Sequence, residues 1–138
     1  MRGSIRSAVT DWEGVDMHMS EPEFERTVTE AVRSVPERFK KALSNIAITV
    51  ADEPTDREYV SMTHGDGELL GLYQGTPITQ RTTGYAGVLP DRITIFKGPH
   101  ERICATHAQM VEQIRKTVLH ELGHYFGFDD KYLHSHGY

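Results

Sequence analysis

Apolar positions along the chain fall into helical and strand-like patterns. Phe24, Val28, Ala31, Val32 and Val35 are spaced 4, 3, 1 and 3 apart, which is one face of a helix. Ser20-Glu21-Pro22-Glu23 stands before them as a capping box with proline in the first turn. Pro36 disfavours helical geometry at Val35, so this helix is expected to end or kink there. Ser34-Val35-Pro36-Glu37 reads as a second capping box, with Phe39 and Leu43 continuing a shorter helix. Ile46 to Ala51 alternates large and small side chains, a strand with one buried face. Arg92-Ile93-Thr94-Ile95-Phe96 is the clearest second strand, closed by Lys97-Gly98-Pro99. Leu69 to Gln74 predicts another, weakened by Gly71. The strongest stripe is Met110, Val111, Ile114, Val118, Leu122 and Tyr125, spaced 1, 3, 4, 4 and 3. It predicts a long helix from about Ile103 to Phe126, stopped by Gly127.

The stretches between are polar. Residues 52–58 read as a loop, and 59–63 carry no decisive pattern. Residues 75–90 form a long Gly-, Thr- and Pro-rich loop, a length that in a small domain is often functional. Residues 131–138 read as a polar, histidine-rich tail. Residues 1–19 have no period and are expected to be a weakly ordered extension, with Trp12 its one candidate for docking. Residues 20–138 then read as a single domain of helices and short strands.

Composition narrows the function classes. Hydrophobic residues make up 38% of the 138 residues before the 12 glycines are added, which excludes disordered and collagen-like chains. No apolar run approaches the roughly 18 residues of a membrane helix. The N-terminus has no apolar segment of the secretory kind. A single cysteine, Cys104, suits a reducing compartment and reads as a small buried hydrophobe. A cytoplasmic, monomeric protein with no membrane partner is therefore expected. The net charge of −5 argues against a nucleic-acid footprint. Eight histidines are many for this length, and two of them carry the chemistry.

Those two sit at the end of the long helical stripe, in His120-Glu121-Leu122-Gly123-His124-Tyr125-Phe126-Gly127-Phe128-Asp129-Asp130. Residues i and i+4 lie one turn apart on one strip of a helix, so both imidazoles can reach one metal ion. Gln113, Thr117, His120 and His124 form a polar face opposite Ile114, Val118, Leu122 and Tyr125, so the helix can pack on one side and line a cleft on the other. Glu121, beside the first histidine, is placed to act as general base on a metal-held water. Gly127 can turn the chain back beneath the metal so that Asp130 supplies a third ligand, leaving a fourth position for water. Asp129 and the tail histidines His134 and His136 are the other candidates for that ligand.

HELGHYFGFDD resembles the HExxHxxGxxD signature of zincin metallopeptidases that use aspartate as third ligand. Together with VPERFKKAL, LLGLYQGTPITQR and LPDRITIFKGP, it makes residues 20 to 131 similar to the minimal zincins, a family of very small bacterial zincin-like proteins. The resemblance implies a compact α+β domain with an active-site helix and backing helices packed on a small mixed sheet. It implies Zn²⁺ held by His120, His124 and Asp130, Glu121 as catalytic residue, and hydrolysis of a peptide or protein substrate by a Glu-activated zinc-bound water. No methionine follows Asp130, so the Met-turn of larger zincins is missing.

An extended substrate could add to an edge strand at Leu69–Gln74 or Ile93–Phe96. Oxyanion stabilisation could come from His64, His100, His107, Tyr85 or Tyr132. Two other function classes remain open. One is a metal-dependent ribonuclease, whose H-x-x-x-H-x-x-G-[aromatic]-D-H pattern lacks the peptidase-type glutamate. The other is a non-catalytic binding module on the same fold.

Overall fold

The computed structural model describes residues 18–63, 65, 67–81 and 91–138. Trp12, His64 and Tyr85 lie outside the described residues, as does most of the 1–19 extension. Among the described residues the fold is α+β, with six α-helices and a three-stranded mixed sheet.

Helix α1 (Glu21–Arg33) begins at the expected capping box: Ser20 accepts from the Glu23 amide and Glu23 from the Ser20 amide. Helix α2 (Glu37–Leu43) follows. Ser34 does not cap it. Its hydroxyl bonds back to the Ala31 carbonyl at the end of α1, and Pro36 stands at the start of α2 without a side-chain cap.

Strand β1 (Ala47–Ala51) pairs in parallel with β3 (Arg92–Phe96), and β2 (Gly71–Gln74) pairs antiparallel with the other side of β3. The order is β1-β3-β2. β3 is therefore central, which removes Ile93–Phe96 as a docking edge and leaves β2 at an edge of the sheet.

Four helices depart from the sequence expectation. α3 (Asp56–Thr63) occupies residues expected to be loop or undecided. It starts at a capping box in which the Thr55 hydroxyl and the Glu58 carboxylate each accept the other residue's amide. It buries none of its residues, so no apolar period announces it. α4 (Lys97–Ile103) begins where Lys97-Gly98-Pro99 suggested a stop, because Pro99 falls in the first turn, where the missing amide costs little. The long helix α5 (His107–Tyr125) consequently starts later than Ile103, at a capping box of Thr106 and Gln109. The tail is also structured: α6 (Asp130–Ser135) is capped by Asp129 and buries Leu133.

The main core lies between the sheet and the α1–α5 pair. Phe24, Ile93, Ile95, Met110, Ile114 and Val118 are inaccessible there. A smaller cluster of Leu69, Leu72 and Phe96 packs with Ala51 and with Tyr59 of α3. Outside α3 the Arg102 guanidinium binds both Glu53 and Glu68, tying the loop before α3 to the loop before β2. At the other end of the molecule the Met19 amide bonds to Glu101, docking the chain that leads into α1.

Candidate metal centre

α5 presents Gln113, Lys116, Thr117, His120, Glu121 and His124 along one side of a cleft of about 400 Å³. Met62 and Thr63 of α3, residues 68–71, and Asp130 and His134 of α6 form the rest of its lining with Tyr138. The polar strip expected from sequence thus faces a cavity, while Ile114, Val118, Leu122 and Tyr125 are buried behind it.

Among the described residues, His120, His124 and Asp130 bring their ligand atoms within 4.8 Å of one another. The Asp130 Oδ1 lies 2.9 Å from His120 Nε2 and 3.0 Å from His124 Nε2. Gly127 makes this possible. Its φ of 95° turns the chain sharply at the end of α5. Asp129 then caps α6 by accepting from the Tyr132 amide at 2.8 Å, which engages it away from the cluster.

The chemistry of the three donors fits a divalent metal. His124 Nδ1 is 2.9 Å from the Phe128 carbonyl, and His120 Nδ1 is 3.2 Å from the Tyr138 main-chain oxygen. A carbonyl or carboxylate oxygen only accepts, so each Nδ1 carries the hydrogen. In a neutral ring each Nε2 then holds a lone pair aimed at a carboxylate oxygen. That arrangement is repulsive unless positive charge sits between them, as protons or as a cation. Two donors of a tetrahedral zinc shell, with bonds of 2.0–2.1 Å, lie about 3.3 Å apart, within a few tenths of an ångström of these spacings. Burial pushes the Asp130 carboxyl up, but hydrogen bonding to His120 and the nearby imidazoles outweigh it and hold the carboxyl below its ordinary range.

Glu121 is almost enclosed, with 7% of its surface exposed. Burial raises its pKa, opposed by His124, His120 and a hydrogen bond from the Tyr73 amide. That bond, 3.0 Å from the Tyr73 N–H to Oε1, joins Glu121 to β2. The register explains it. Leu70 O accepts from Phe96 N, so Leu70, Leu72 and Gln74 bond to β3, and the main-chain groups of Gly71 and Tyr73 point to the free edge. α5 approaches that edge because residue 71 has no side chain: a Cβ there would lie 2.6 Å from Thr117 Cγ2 and 3.3 Å from Glu121 Cγ. The Tyr73 phenol donates to Asp91, which also pairs with Arg81. The bond from Tyr73 to Glu121 spans 48 residues and uses a main-chain amide, so no side-chain motif revealed it.

Other sequence candidates are placed elsewhere. His100 is fully buried between the Phe96 carbonyl and the Thr117 hydroxyl. His107 stands at the start of α5 against Glu30. Tyr132 is stacked between Phe128 and His136. Cys104 is buried, as expected. His134 is brought to the cleft, its ring 5.7 Å from that of His120. No helix among the described residues is long and apolar enough to cross a membrane.

No curated protein matches the chain. Among solved structures it is similar to a conserved hypothetical protein from Thermo thermophilus, at 22% identity and a TM-score of 0.49, over 85% of this chain and 99% of that one. The profile of the zincin-like metallopeptidases matches residues 43–138, more than two-thirds of the chain and the whole of the His120–His124–Asp130 cluster. The chain belongs to that family.

Proposed function

We propose that the chain is a zinc-dependent peptidase in which His120, His124 and Asp130 hold the metal and Glu121 is the catalytic base. The observation that carries this reading is the position of Glu121. Its carboxylate is buried where the histidine–aspartate cluster meets the free edge of β2. A residue needed only for metal binding would have no reason to touch the strand. A base that must face both an activated water and an extended substrate would.

Each residue then has a defined task. The Phe128 carbonyl holds the His124 imidazole with Nε2 toward the centre. Asp130 adds the negative charge that makes the donor set selective for a cation. Zinc, when bound, supplies a Lewis acid and lowers the pKa of a neighbouring water toward about 7. The Tyr73 N–H fixes Glu121 Oε1, leaving Oε2 to take a proton and return it to the departing amine. The outward main-chain groups of Gly71 and the Tyr73 carbonyl offer an edge on which an extended peptide can pair. The small cleft favours short or flexible substrates. The place of Glu121 supports this reading over the ribonuclease alternative, whose pattern has no such residue.

The test is turnover of a mixed peptide library by the zinc-loaded protein, with Glu121→Gln beside it. The variant should bind zinc as tightly as the wild type while cleavage falls by about 10²–10⁴-fold. Equal cleavage by both would remove Glu121 from the mechanism. Peptide capture by both with no cleavage by either would replace the enzyme with a binding module.

A further inference from the structure

We infer that Gly137-Tyr138 is a positioning element for His120, delivering a main-chain oxygen that fixes how this imidazole faces the metal. The inference rests on His120 being a ligand, as proposed above, and adds a group outside the HExxH pattern to the site.

Two helix ends in this chain are built alike. At the end of α5, Gly127 has φ 95°, its amide bonds to His124 O at 2.9 Å, and the Phe128 amide bonds to Gly123 O at 2.9 Å. At the end of α6, Gly137 has φ 85°, its amide bonds to His134 O at 3.2 Å, and the Tyr138 amide bonds to Leu133 O at 2.8 Å. Both are Schellman motifs, with glycine in the left-handed conformation and the next residue reaching back along the helix. In both, the main-chain oxygen of the residue after the glycine turns to a site imidazole. Phe128 O takes His124 Nδ1–H and Tyr138 O takes His120 Nδ1–H.

The two clasps differ in origin. That of His124 is built into the end of its own helix, four residues on. That of His120 arrives from a second helix, 18 residues away. α6 is anchored by Leu133, only 3% exposed and packed directly on Gly123 of α5. The glycine turn then carries the chain back over His120. Without it, the His120 ring could rotate and offer Nδ1 instead of Nε2. The acceptor is main-chain, so the tyrosine ring itself is not required.

The test compares a chain ending at His136, Gly137→Ala and Tyr138→Phe with the wild type. Zinc affinity is read by calorimetry, and the imidazole nitrogens of isotope-labelled protein by NMR, with and without zinc. The chain ending at His136 should lose the His120 Nδ1–H signal, keep that of His124 as internal control, and bind zinc about 10- to 100-fold more weakly. Gly137→Ala should weaken binding in the same direction by less. A Cβ there meets nothing within 4 Å, so only the backbone conformation is opposed. Should the shortened chain not fold, Gly137→Ala decides. Tyr138→Phe should behave as wild type. Retention of both signals with unchanged affinity in the shortened chain and in Gly137→Ala would overturn the inference. A wild-type chain that binds no zinc but still shows His120 in the Nδ1–H form would remove the metal reading and leave the positioning contact standing.

Discussion

His100 is enclosed on all sides, yet its ring is satisfied. Nδ1 donates to the Phe96 carbonyl at 2.7 Å, and Nε2 lies 3.0 Å from the Thr117 hydroxyl, whose single hydrogen is shared with the Gln113 carbonyl, also 3.0 Å away. The residue ties β3 to the turn of α5 just before Glu121. Burial lowers its pKa from 6.5 to about 4, against the raising effect of the Phe96 bond. A base whose pKa is lower folded than unfolded is protonated first in the unfolded chain. Its stabilisation is therefore complete above pH 6.5 and is lost as pH falls from there toward 4. In metal-free protein this single group should cost about 2 kcal/mol between pH 7 and pH 5. Urea midpoints at the two pH values measure it, and His100→Gln should flatten the dependence. An equally steep dependence in the variant would assign the effect to other groups.

Among the elements, α5 and β2 matter most, and their separation is set at residue 71. Gly71→Val should force the strand from Thr117 and Glu121, costing about 1–3 kcal/mol in denaturant stability. Because the Tyr73 amide moves with the strand, peptide turnover should fall by more than that stability loss explains, while zinc affinity holds. Loss of zinc affinity equal to the loss of turnover would mean that the strand supports the metal cluster rather than the base. Elements also differ in how plainly the sequence announces them. α5 buries five residues of a regular stripe, and its period is unmistakable. α3 buries nothing, and α6 buries only Leu133, so neither writes a hydrophobic period and both reveal themselves only through caps. α4 was masked by a Gly-Pro pair that usually ends a strand. The meeting of His120, His124 and Asp130 was legible because its spacing is local: one helix turn between the histidines and a glycine turn before Asp130. The Tyr73 amide and the Tyr138 main-chain oxygen were not, because main-chain groups brought from 48 and 18 residues away leave no residue-type signal.

Across the whole molecule the division of labour is simple. The sheet and the α1–α5 pair form the core, while α3, residues 68–71 and α6 frame the cleft. The two imidazoles and one carboxylate meet where α5 ends and α6 begins, so the centre joins the last helix to the body. The measurement that bears most directly on this centre is calorimetric zinc titration of the metal-stripped protein, beside His124→Ala and Asp130→Ala. A centre made of His120, His124 and Asp130 predicts one tight site per chain, weakened strongly by either substitution. No binding, or binding indifferent to Asp130, would contradict it and leave a zincin-like fold without the zinc chemistry.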